Sequence, residues 1–371
     1  MTPKDLFHFA CQCLSLDSHP EVRETIRSRF DQGEVDLESF IYLCSNHLVL
    51  PAIYLLFRKH GLLPVFPPEY AEHIEEIYLL NRKRNLEILQ QIEEISASLN
   101  KENIIPIYLK GTAHLLDGIY SDPGERMIGD IDFLVQENDY INSIQLIRDL
   151  DYKLDQPVPV YYDVLLYKHF PRLYRVDVPA DVEIHRVPVG MQYSGEFTSE
   201  LIFKNKKVIA EKENCYVPCD EHKIIHNFIH SQLSNKGHAY KLLSLRDLYD
   251  IYVLSLRASP EKVISNIEKK YKAIAYFALF NKLFSQKKTF NPDTTAKTGY
   301  FYYWHGWFLN HYKIHRIYIF ALKFSELVFS RYIGRIAKAI FQKTSRDHII
   351  NRLKDPGWYK MHFKGLKDFF A

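Results

Sequence analysis

Asp130 and Asp132 stand one residue apart in "GDIDFLV", a run that is otherwise apolar. In an extended strand successive side chains alternate faces, so both carboxylates point one way, while Ile131, Phe133 and Val135 form the opposite face. Two like charges side by side repel, and burying them unpaired costs on the order of several kcal/mol each. A bound cation removes that cost. Hard divalent ions such as Mg²⁺ take carboxylate oxygens and complete their shell with water and substrate phosphates. A third acid, Glu183, sits in the strand-like run "DVEIH", with His185 returning to its face two residues later. Three carboxylates on neighbouring strands can hold two divalent ions about 4 Å apart, which aligns an attacking oxygen with a leaving pyrophosphate.

Periodicity identifies the elements that must position these acids. Residues 1–100 carry apolar residues at three-and-four spacing and read as an N-terminal helical region. The period then changes: "IIPIYLKG" reads as a strand, "TAHLLDGIY" as a short helix, "SDPGER" as a turn and "GDIDFLV" as a second strand. The junction at Lys110, Gly111 and Thr112, where a strand gives way to a helix, has the character of an anion site. "ENDYINSIQLIRDLDY" follows as an amphipathic helix, then "YYDVLLYKHFPRLYRV" and "ADVEIHRV" as two strands joined by a turn. The expected fold is therefore mixed α+β. Its small mixed sheet lies in a core over residues 101–218, with a helical region packing on it over 219–285. A polar stretch, "NPDTTAKTGY", reads as a linker into a basic, aromatic helical region over 286–371.

The chain's 371 residues suffice for more than one domain, and a net charge of +3 does not mark a nucleic-acid binder. Charge is unevenly distributed, however: residues 301–371 hold 13 Lys/Arg against 4 Asp/Glu. That imbalance implies nucleic acid or an anionic surface as a partner class. "YFYYWHGWFLNHYKIHRIYIF", at the start of this region, reads as a core-packing aromatic helix or as part of that surface. Lys323, Glu326, Arg331 and Arg335 interrupt the most apolar helix, which excludes a membrane span there. Five cysteines without a zinc-type pair of pairs, and no basic and apolar leader at the start, point to a reduced, cytoplasmic protein.

"LKGTAHLLDGIY", Arg126, "GDIDFLV", "KHFPRLYRV" and "VEIH", in this order and spacing, resemble the family of uncharacterised bacterial nucleotidyltransferases in the DNA polymerase beta-like superfamily. The resemblance spans residues 30–255 and includes the flanking helical runs. It implies a polymerase beta-like nucleotidyltransferase core and transfer of an NMP from an NTP to a hydroxyl, with two Mg²⁺ or Mn²⁺ ions as cofactors. By this resemblance Asp130 and Asp132 bind the ion that carries the triphosphate, and Asp132 with Glu183 binds the ion that activates the acceptor; Glu183 is also a candidate base. Lys110 joins these three as a catalytic residue, and Gly111, Thr112, Arg126 and His185 are the nucleotide-binding set. Lys110 or Arg126 neutralises phosphate charge, and Gly111 lets the backbone approach it. Gly111-Thr112 replaces the superfamily's usual Gly-Ser or Gly-Gly without removing a ligand.

The acceptor class stays open among small molecules, protein and RNA. Two other readings compete: a catalytically inactive nucleotide- or RNA-binding regulatory module, and a toxin-like transferase acting on protein or tRNA. Outside the motif, His169 reads as structural, Arg246 and Asp247 as an intrahelical or domain-joining pair, and His222, His226 and His230 as a solvated or nucleotide-facing stripe. Asparagine at Asp130 or Asp132 is expected to abolish turnover with little loss of stability, because it relieves mutual repulsion.

Overall fold

The computed structural model describes residues 1–155, 164–209, 215–264, 267, 270–284 and 296–370. It comprises two compact units, Met1–Tyr303 and Trp304–Ala371. The first begins with four helices, α1 (Pro3–Leu14), α2 (Arg23–Asp31), α3 (Leu37–Asn46) and α4 (Leu50–Lys59). Thr2 and Asp36 cap α1 and α3 by accepting a backbone N–H, which satisfies donors that a helix start leaves open. Their apolar faces meet in a phenylalanine cluster, where Phe9 and Phe40 each pack edge-on against Phe30 with centroids 5.5 Å apart.

Helix α5 (Pro68–Lys101) is the spine of the unit. Its Ile88, Ile92, Ile95 and Leu99 recur every three or four residues and are fully buried against the sheet. Seven strands follow: β1 (Ile107–Tyr108), β2 (Asp130–Leu134), β3 (Lys153–Leu154), β4 (Leu173–Tyr174), β5 (Asp181–His185), β6 (Lys206–Val208) and β7 (Tyr216–Pro218). They form one mixed sheet in the order β3-β4-β5-β2-β1-β7-β6. β2 and β5 run parallel with Ile131 opposite Val182 and Phe133 opposite Ile184. Those four residues share one face and pack on α5 and on α7 (Tyr140–Asp149), with Tyr140 and Ile147 buried between. The opposite face of the same strands is therefore left for the acids.

α6 (Lys110–Leu116) connects β1 toward β2, and α8 (Ser199–Lys204) precedes β6. After β7, α9 (Asp220–Phe228) continues into a π-helical segment, Ile229–Ser234, and then α10 (Gly237–Tyr240), α11 (Leu245–Ser255), α12 (Pro260–Ile264) and α13 (Lys270–Leu283). α14 (Ala296–Asn310) closes the first unit and enters the second, which contains α15 (Tyr312–Ser325), a π-helical segment Glu326–Ile333, α16 (Gly334–Phe341), α17 (Lys343–Leu353) and α18 (Pro356–Phe370).

Two expectations of local structure need correction. Of the stretch read as a linker, residues 296–300 are helical and 291–295 lie outside the described residues. Of "YYDVLLYKHFPRLYRV", residues 161–163 lie outside them, and the rest yields a 3-10 turn, Val164–Leu166, a bridge from His169 to His185, and β4. Pro171 has no N–H to continue a ladder between them, so the pairing is interrupted. No cysteine forms a disulfide. Among the described residues, no helix is long and apolar enough to cross a membrane.

Candidate active site

The parallel register that buries the apolar face sets Asp132 directly opposite Glu183, with Asp130 opposite Asp181 and Leu134 opposite His185. Asp132 is 1 % exposed and Glu183 8 %, whereas Asp130, at the strand start, is half-buried. Ligand-capable atoms of Asp132, Glu183 and His185 all lie within 4.8 Å of one another. Basic side chains gather on these acids. Lys110 Nζ is 2.5 Å from Asp132 Oδ1 and 3.8 Å from Glu183 Oε2. Arg172 Nη2 bridges Asp130 Oδ2 at 3.0 Å and Glu183 Oε1 at 3.2 Å. His185 Nε2 is 2.7 Å from Asp132 Oδ1, and His169 Nε2 is 3.8 Å from Glu183 Oε2.

This environment separates the three acids. Burial opposes ionisation of Asp132, yet Lys110 and His185 override it and hold its carboxyl well below the usual range. Glu183 is also opposed by burial, but contact with His185 and the Lys110 charge bring it down to about 2. Asp130 is pushed up, by burial and by the neighbouring Asp132 charge. An all-oxygen set of three carboxylates, already collecting an ammonium and a guanidinium, fits hard divalent cations such as Mg²⁺ or Mn²⁺. Asp130 stands outside the tightest group, whose third member is His185.

The residues around Gly111 are arranged differently from the expected phosphate cradle. Lys110 adopts φ +51°, an unfavourable conformation for a residue with a Cβ, at the point where β1 turns into α6. Thr112 is fully buried; its hydroxyl donates to the Asp130 carbonyl at 3.1 Å and accepts from Asp132 N at 3.4 Å, so it clamps the acid-bearing strand. His185 is likewise fully buried, behind Asp132. Neither residue lines the cleft, and both act from behind the acid-bearing strands. Gly111 does line it, but a Cβ there would lie 2.1 Å from Arg126 Nη1. Arg126 in turn closes its fork on Asp250, with Nε to Oδ1 and Nη2 to Oδ2 both 2.8 Å, so the expected bidentate grip on phosphate is already engaged. Tyr120 also donates to Asp250, and His114 lies 3.5 Å away. From α5, Asn85 Nδ2 holds the Arg126 carbonyl at 2.7 Å and the Pro123 carbonyl at 2.6 Å, fixing this loop over the sheet.

The acids open into a cleft of about 440 Å³ whose far wall is built from α9, its π-helical continuation and α11. His226 and His230 face it, with ring centroids 6.4 Å apart. Burial lowers both, His226 well below its ordinary value and His230 to about 3, so both are neutral at physiological pH. His222 lines a smaller cavity with Phe197 instead. The three do not form a solvated stripe: His226 and His230 turn into the cleft, and His222 into the smaller cavity. Arg246 and Asp247 also line the cleft, 3.8 Å apart.

Most cations in the cleft are committed: Lys110 to Asp132, Arg126 to Asp250, Arg172 to Asp130 and Glu183, and Lys223 to Asp117 and Asp220. Lys168 differs. It is half-buried and has no side-chain hydrogen bond or ion pair among the described residues, and burial with the nearby Lys110 charge brings its ammonium down to about 8. Lys168, Arg172 and Asp250 are among the cleft residues that sequence reasoning missed. The first two lie in "KHFPR", where two cations and a histidine in five residues are a usable signal; Asp250 carries none, since its partner Arg126 is 124 residues away.

Comparison with known proteins agrees with this geometry. No curated protein matches the chain. A family model described as "Uncharacterised nucleotidyltransferase" matches residues 33–280, a stretch that contains the whole sheet, the three acids and both walls of the cleft. The match covers well over half of the sequence, and the chain belongs to this family of nucleotidyl-transfer enzymes.

Proposed function

We propose that the protein transfers an NMP from an NTP to an acceptor hydroxyl in a reaction that requires two Mg²⁺ or Mn²⁺ ions. The acceptor oxygen bonds to the α-phosphorus, the bond from that phosphorus to the pyrophosphate oxygen breaks, and the hydroxyl proton passes to solvent water. The observation that carries this reading is the register placing Asp132 beside Glu183, with Asp130 on the same face of β2, in a cleft that Lys168 also lines. Divalent ions held by Asp130, Asp132 and Glu183 supply Lewis acidity for the acceptor oxygen and charge neutralisation for the phosphates. Glu183, with its carboxyl near 2, is ionised at physiological pH and serves as a ligand in preference to a base. His185 fixes Asp132 Oδ1, and Arg172 gathers Asp130 and Glu183 on one side. Lys110 counters phosphate charge from beside Asp132.

Lys168 is assigned to the triphosphate tail. A charge-assisted contact of this kind contributes about 1.5–3 kcal/mol, so Lys168→Met is expected to raise KM for NTP by about tenfold or more while changing kcat less. Below pH 8 the free enzyme's Lys168 is charged; as pH rises through about 8 it loses its proton and its attraction for phosphate. KM for NTP should therefore climb from pH 8 to higher values in the wild type and stay flat in Lys168→Arg. A flat wild-type profile would remove Lys168 from the phosphate site.

Thermal unfolding with each of the four NTPs, with and without Mg²⁺ or Mn²⁺, tests the donor site. Ligand at a hundredfold its dissociation constant stabilises by about 2.7 kcal/mol. That shift should require the divalent ion and disappear in Glu183→Gln. A shift of equal size without the ion, or retained in the variant, would contradict the carboxylate assignment.

A further inference from the structure

α15, the π-helical segment Glu326–Ile333 and α16 follow one another without a break in helical backbone. Within this helix neither α15 nor α16 buries any residue. Ile333, Ile336 and Ile340 fall within a sector of about 60° at 100° per residue. The wider π turn brings Phe329 into line with Ile333. These four side chains are 50 %, 58 %, 64 % and 66 % exposed for Ile333, Ile336, Ile340 and Phe329 respectively. Arg335 and Lys338 fall on the other side of the same helix. One face is thus apolar and open while the opposite face is cationic, in a unit where 13 Lys/Arg face 4 Asp/Glu.

We propose that this helix docks the protein on an anionic lipid bilayer, lying in the plane of the interface with Phe329, Ile333, Ile336 and Ile340 among the acyl chains. Three observations favour this occupant. The stripe is mainly isoleucine, which gains from hydrocarbon and offers no ring on which a nucleobase can stack. A second copy would bring an equal positive excess to the same contact and be repelled. A cationic face opposite an apolar one is the distribution of a helix lying in a bilayer interface, and each cation near an anionic surface raises partitioning about fivefold. This inference does not depend on the reading of the cleft.

The test is co-sedimentation of the full chain with vesicles of phosphatidylcholine alone and of phosphatidylcholine with about one-third phosphatidylglycerol. Wild type should bind the anionic vesicles at least about tenfold better, and less well as salt rises. Ile336→Glu/Ile340→Glu should abolish that binding while leaving circular dichroism and melting unchanged, since neither residue is buried. Arg335→Gln/Lys338→Gln, which keeps the apolar stripe intact, should weaken binding to anionic vesicles only. Absence of vesicle binding, or binding undiminished by the glutamates, would overturn the proposal. So would a single-stranded RNA oligonucleotide or a dimer that claims the face, identified by loss of RNA binding or of the dimer in the same double variant without any vesicle binding.

Discussion

Asp132→Asn is expected to abolish nucleotidyl transfer, by about 10³-fold or more, and to destabilise the fold by about 3 kcal/mol. The two effects share one cause. Asp132 is almost fully buried, and its Oδ1 receives both Lys110 at 2.5 Å and His185 at 2.7 Å. Asparagine removes the charge that both contacts need and leaves Lys110 facing Glu183 alone, 3.8 Å away. Removing one partner from a buried pair costs more than the pair contributes, because the remaining charge is left uncompensated. Asp130→Asn should lose activity without that cost, since burial and Asp132 already disfavour its charge. The carboxylate pattern alone leads to an expectation of little destabilisation for either substitution; the position of Lys110 divides them. Chemical denaturation of the two variants checks this, and equal midpoints would refute the distinction.

Asp250→Ala is expected to be comparably damaging to the fold, at about 3–5 kcal/mol. It leaves the Arg126 guanidinium buried without its carboxylate and strips Tyr120 and His114 of their shared partner. Gly111→Ala should act on the same assembly from the other side: its Cβ would meet Arg126 Nη1 at 2.1 Å, and an arginine pinned at both ends of its fork cannot swing away. Both variants should lower the melting temperature sharply, and nucleotide affinity should fall only as folded protein is lost. Normal melting with a raised KM for NTP in Asp250→Ala would instead return Arg126 to the phosphates.

The acid-bearing strands were legible because period-two alternation constrains both faces at once. Ile131 and Phe133 had to find a core, and that requirement alone turns Asp130 and Asp132 into the cleft. The pairing of Asp132 with Glu183 was accessible only as a possibility of neighbouring strands, because register depends on the crossover between them and not on either strand's composition. Strands β1, β3 and β4, two residues each, and the short β6 and β7 give too little periodicity to read fully. The contacts of Gly111, Thr112 and Arg126 were not legible for a related reason. A glycine beside a helix start fits either a close approach by phosphate or a close approach by another side chain. Here the approaching group is an arginine, whose own partner lies in a helix 124 residues further on. His226 and His230 show the same limit: helical spacing puts them on one face, but tertiary packing decides that the face is buried and aimed at the acids.

The most direct measurement of nucleotidyl transfer is to incubate the protein and Mg²⁺ with NTP labelled at the α- or at the γ-phosphate, offering separate pools of protein, RNA and small hydroxyl compounds as acceptors. The α label should enter one pool and the γ label should leave as pyrophosphate, with both events lost in Asp132→Asn and in Glu183→Gln. Entry of the γ label into an acceptor, or α-label transfer that survives either substitution, would contradict nucleotidyl transfer at these carboxylates.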